Sequence, residues 1–201
     1  MGDVMIDAGY FLRILARQNV NFYSCVSDPL LNEFFFTAAD YSNEIIYQTA
    51  CNDKAAIGIA IGSYLATGYI PAVYLKNSGL YTVVNPFYST AKPEVYGIPL
   101  LLIVGWQNET DIEKSTSRNK YYQHDELRIG PIPLLQQLRI PYKILGECTE
   151  DWEKTIESLL TIAHNEFRPV ALVVKKISFS TTKATSTNRK VIFNESVEKI
   201  K

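Results

Sequence analysis

Two acids and one polar triplet carry the chemistry that can be read directly from this chain. Asp53 follows Asn52 at the head of a run of small and apolar residues that ends at Gly68. The run reads as a helix, so Asp53 stands at its amino end, where the helix dipole favours a carboxylate. Ala72 to Leu75 follows as a short apolar strand without clean alternation, as expected when both faces are covered. Asn77-Ser78-Gly79 then reads as a polar turn at the carboxyl end of that strand. Ligands of open parallel sheets gather at the carboxyl ends of strands, so Asp53 and the triplet are expected to form one site. Asp28, in Ser27-Asp28-Pro29, is the second acid. It either caps a helix that starts at Pro29 or acts as a catalytic carboxylate on the same rim.

The elements that must position these groups follow from hydrophobic period and punctuation. Gly58 and Gly62, four apart, leave one face of the Asp53 helix almost bare, which lets another backbone pack close to it. Gly68 and then Ile70-Pro71 stop that helix. Ile6 to Arg17 has helical spacing, Phe22 to Val26 reads as a strand, Leu30 to Ala39 as a helix and Glu44 to Thr49 as a strand. Leu80 to Ala91 reads as a helix kinked or delayed by Pro86, and Pro99 to Gly105 as the most apolar strand. The polar stretch 106–128 reads as a long loop, either a binding loop or disordered, that begins on the rim that holds the triplet. Ile132 to Leu138 and Asp151 to Glu166 read as helices, and Tyr142 to Leu145 and Pro169 to Val174 as strands.

Strands alternating with helices predict an α/β fold, a doubly wound parallel sheet of about six strands with helices on both faces. It occupies residues 1–176, and 177–201 reads as a linker-like tail.

Composition narrows the function. At 201 residues, 47% hydrophobic and 20% charged, the chain has the make-up of a soluble globular domain. A formal net charge of -1 gives no electrostatic case for nucleic acid. No apolar run reaches membrane-spanning length, and the amino end lacks a secretory pattern, so a cytoplasmic protein is expected. The three cysteines, Cys25, Cys51 and Cys148, form no C-x-x-C pair and read as reduced core residues rather than metal ligands.

The segments FYSCVSDPLLNEF, NDKAAIGIAIGSYLATG, VYLKNSGLYTVVNP, PEVYGIPLLLIVGW and RPVALVVKK together resemble the pyrimidine-binding domain of phosphonopyruvate decarboxylase. The sulfopyruvate decarboxylase alpha subunit is similar. The resemblance runs in order through residues 7–176. It implies a thiamine diphosphate- and Mg2+-dependent enzyme that decarboxylates a 3-substituted pyruvate, phosphonopyruvate giving phosphonoacetaldehyde in phosphonate biosynthesis. It also implies an oligomer whose cofactor lies between this domain and a second, diphosphate-binding domain or subunit with a Gly-Asp-Gly…Asn motif. No such motif occurs here, so the partner would hold the metal and the diphosphate.

The resemblance assigns roles to matched positions. Asp53 stands where the family has glutamate, in Asn52-Asp53-Lys54 against the family's Asn-Glu-Gly. It would hydrogen-bond the aminopyrimidine ring and so activate the cofactor. It is one methylene shorter, about 1.5 Å of reach. Asn77, Ser78 and Gly79 would line the pyrimidine ring, and Asn85 matches the family's Asn-Pro. Asp28 falls in the family's Val-Pro-Asp-Ser corner, written here Val-Ser-Asp-Pro, and would face substrate. His124, in Gln123-His124, resembles a pair on the family's active-site loop, without the preceding Asp-Glu-Pro. The alternative is a catalytically silent domain of this type that acts as a binding or regulatory partner.

Overall fold

A computed structural model of the chain describes residues 6–26, 45–106, 130–145, 152–175 and 179–180. Its strands and helices, in chain order, are β1 (Ile6–Asp7), α1 (Ala8–Arg17), β2 (Phe22–Val26), β3 (Ile46–Ala50), α2 (Asp53–Thr67), β4 (Ala72–Lys76) and α3 (Asn77–Thr82). There follow the short turn α4 (Val84–Pro86), a π-helical turn (Phe87–Ala91), β5 (Leu101–Trp106), α5 (Ile132–Gln137), β6 (Tyr142–Leu145), α6 (Trp152–Glu166), β7 (Val170–Lys175) and β8 (Phe179–Ser180).

Six strands form one all-parallel sheet in the order β3-β2-β4-β5-β7-β6. This is the α/β sheet that the strand–helix alternation predicts. The small strands β1 and β8 pair separately and in parallel, Ile6 opposite Phe179.

Side-chain alternation divides the sheet into two cores. Tyr23, Cys25, Ala72, Leu101, Ile103, Val170 and Leu172 face α1 and α6. Val73, Leu75, Leu102, Val104, Ala171 and Val173 face α2, α3 and the π turn. Because both faces are covered, β5 carries four consecutive fully apolar residues, Leu101 to Val104, all buried. Each such side chain contributes about 1.5–3 kcal/mol by leaving water. Tyr23 is buried in the first core and donates its hydroxyl to Val20 O at 3.0 Å. Burial alone pushes that hydroxyl well above the usual tyrosine range, so it stays a neutral donor.

Three expectations need correction. The triplet Asn77-Ser78-Gly79 is not a free turn but the first turn of α3, which opens directly from β4. The helix expected over Leu80–Ala91 is broken: α3 stops at Thr82, and Pro86, which has no N–H to donate, ends α4 just before a π turn. Among the described residues the bare face of α2 has no close neighbour, since a Cβ added at Gly58 or Gly62 would meet nothing within 4 Å. Only Ala56, Ile57 and Ala60 of α2 are buried. Cys51 also departs from a core role; it lies exposed in the link from β3 to α2, whereas Cys25 is buried.

Candidate active site

The sheet order creates the place where the site forms. From β2 the chain moves outward to the edge strand β3, and from β4 it moves the other way to β5. The carboxyl ends of β2 and β4 therefore flank a topological switch point, where open parallel sheets leave a crevice. Two links meet on this rim. One runs from β3 into α2 through Cys51 and Asn52, and the other passes from β4 straight into α3.

The amino end of α2 is built by Asn52. Its backbone is extended (φ -159, ψ 169), and its side-chain oxygen accepts from Ala55 N at 2.9 Å. Asn52 is thus the N-cap, worth about 1 kcal/mol to the helix. At the other end, Gly68 takes the left-handed conformation (φ 75), and its N–H bonds Tyr64 O at 2.7 Å. The cap has a consequence for Asp53. As the first helical residue, it leaves capping to its neighbour and turns its carboxylate toward α3.

That carboxylate rests on Gly79. A Cβ at residue 79 would lie 2.9 Å from Asp53 Cγ and Oδ1 and 3.0 Å from Oδ2, inside any real carbon contact. Only glycine lets the acid lie so close to the first turn of α3. Thr82, one turn further along, places Oγ1 3.4 Å from Asp53 Oδ2 and donates to Gly79 O at 2.7 Å. Asp53 is half-buried, Gly79 buried and Thr82 exposed, so the acid sits at a boundary between protein and solvent.

The sequence expectations separate clearly on this geometry. Asp53 and Gly79 are brought into contact. Asn77 is buried at the start of α3, and Ser78 beside it is exposed. Asn85 lies beyond α3, exposed in α4. Asp28 and His124 lie outside the described residues. Thr82 was not expected from sequence. Its signal is the spacing, three residues after Gly79, which puts both on one side of a helical turn. Among the described residues, no group of three or more His, Cys, Asp or Glu side chains could hold a metal ion, and no helix is long and apolar enough to cross a membrane.

The site fits the pyrimidine end of a thiamine cofactor. Among the described residues its one acid, Asp53, is half-exposed, anchored on two elements and spared from capping. No curated protein matches the chain. The family described as thiamine pyrophosphate enzyme, N-terminal TPP binding domain, matches residues 8–129, more than half of the chain, and the chain belongs to that family.

Proposed function

We propose that this N-terminal domain of a thiamine diphosphate enzyme is the pyrimidine-binding half of a 2-oxo acid decarboxylase, converting phosphonopyruvate to phosphonoacetaldehyde and CO2. One observation carries the reading: the Asp53 carboxylate, free of capping duty, lies on Gly79 at the switch-point rim. In this reading Asp53 accepts a hydrogen bond from the aminopyrimidine ring and so sets its protonation. Asn77, Ser78, Gly79 and Asn85 border the ring, and Asp28 and His124 serve the substrate side. When bound, thiamine diphosphate supplies the electron sink for breaking the carbon–carbon bond.

The other half of the site belongs to a partner. N-terminal domains of this family are typically paired with other thiamine diphosphate-binding domains. Mg2+ and the diphosphate are assigned to that second domain or subunit. The ridge of α2 at Gly58 and Gly62 favours association, because no described residue occupies it.

A second reading has one observation in its favour. Asp53 stands where the resembled decarboxylases have a longer glutamate, so a catalytically silent domain that regulates a partner is the competing function. Reconstitution separates the two. The chain is mixed with a diphosphate-binding second-domain chain, thiamine diphosphate and Mg2+, and CO2 release is followed from phosphonopyruvate and from sulfopyruvate. Turnover of phosphonopyruvate is expected. Preference for sulfopyruvate reassigns the substrate, and absence of turnover from either favours the silent domain.

A further inference from the structure

The Thr82 hydroxyl has one proton and faces two acceptors. Oγ1 lies 2.7 Å from Gly79 O and 3.4 Å from Asp53 Oδ2. A hydroxyl donates once but accepts on two lone pairs. In the structure the hydroxyl bonds Gly79 O, and the 3.4 Å contact to Oδ2 becomes a charge-assisted bond when an ionised Asp53 draws in by several tenths of an ångström. When Asp53 is neutral, its own O–H can donate to Oγ1, and the threonine proton returns to Gly79 O. Rotation of the hydroxyl, with a small approach of the carboxylate, thus lets Thr82 bond the acid in both states.

We propose that Thr82 is the positioning residue of Asp53, holding the short carboxylate in one rotamer against Gly79 whether the acid is charged or neutral. Gly79 supplies a contact surface but no donor side chain, so it cannot do this alone. A half-exposed aspartate without a tether samples its other staggered rotamers. The longer acid of the resembled decarboxylases can cross the gap by its own reach; here a fixed direction takes the place of length. The catalytic consequence rests on the decarboxylase reading above, while the positional claim rests on Asp53, Gly79 and Thr82 themselves.

The experiment has two arms. In the first, three-bond couplings across the Asp53 Cα–Cβ bond are measured by NMR in the full chain alone. Wild type and Thr82→Ser should report one rotamer, and Thr82→Val and Thr82→Ala an average over several. A single unchanged rotamer in both Val and Ala, or its loss in Ser, overturns the proposal. Use of two variants guards against a defect peculiar to one of them. In the second arm, the reconstituted two-domain enzyme is assayed. Thr82→Val should lower kcat about tenfold with KM little changed, equivalent to about 1.4 kcal/mol in the barrier, and Ser should restore it. Full kcat in Thr82→Val despite rotamer averaging also overturns the positioning role. If even wild type shows no turnover while the rotamer pattern holds, the decarboxylase reading fails and Thr82 remains the tether.

Discussion

Replacing Gly79 with alanine should separate the site from the fold. The new methyl would stand 2.9 Å from Asp53 Cγ. Carbon atoms settle at about 3.5–4.0 Å, so the carboxylate must retreat by roughly 0.5–1 Å. Retreat is cheap for the fold. Asp53 is half-buried at the rim and can turn toward water, and alanine in a helical turn gains about 0.5–1 kcal/mol over glycine. Urea unfolding of the isolated chain should therefore change by no more than about 1 kcal/mol in either direction, within the range of an ordinary surface substitution. Catalysis has no such tolerance. A displacement of about 1 Å at a reacting group costs roughly a hundredfold in rate, so the reconstituted enzyme should lose between about tenfold and a hundredfold in kcat. Wild-type kcat from Gly79→Ala would show that the seat of Asp53 on α3 has no part in the chemistry. A loss of stability beyond about 3 kcal/mol would show that the carboxylate cannot move aside, which would refute the sorting of site from fold.

Three further outcomes follow from the same geometry. Asp53→Asn keeps shape but removes charge, so turnover in the two-domain enzyme should nearly vanish while the unfolding midpoint changes little; Asp53→Glu should keep or raise turnover, and equal activity in all three would reduce Asp53 to a helix-end charge. Gly62→Ala points into open space, so it should stabilise the isolated chain by about 0.5–1 kcal/mol yet weaken association with the partner domain, read by analytical ultracentrifugation; unchanged association would remove the α2 ridge from the interface. Gly130→Ala should destabilise by roughly 2–4 kcal/mol, because φ there is 74 and the new Cβ would lie 2.5 Å from the Trp106 ring, and a neutral midpoint in thermal unfolding would contradict that packing.

Much of this arrangement was legible before any coordinates. Phe22–Val26 and Tyr142–Leu145 are strands with the expected bounds, since short apolar runs between breakers have few alternatives. Asp53 and Gly79 could be placed together because parallel strands deliver their following residues to one rim. Composition misled where identity and conformation part company. Asn, Ser and Gly are turn formers, yet here they begin α3, because a helix that leaves a strand directly needs small residues in its first turn more than it needs propensity. The spacing of Gly58 and Gly62 marks a face of α2 open to a close neighbour. Spacing reports only that a face is bare, not which neighbour meets it. Thr82 was illegible for a different reason: a threonine in a short helix is commonplace, and its value depends on a carboxylate 29 positions away.

The contact between Trp106 and Gly130 has a bearing on how such a protein can diversify. The indole at the end of β5 lies against the glycine that leads into α5, so the chain leaves the sheet and returns to it through a single doorway. Trp106 and Gly130 are thus held together across 23 intervening positions of sequence. The entropy of closing such a span grows only with the logarithm of its length, about 0.6 kcal/mol for each doubling. A change in the number of residues between the two therefore carries a small entropic cost as long as the Trp106–Gly130 contact is kept.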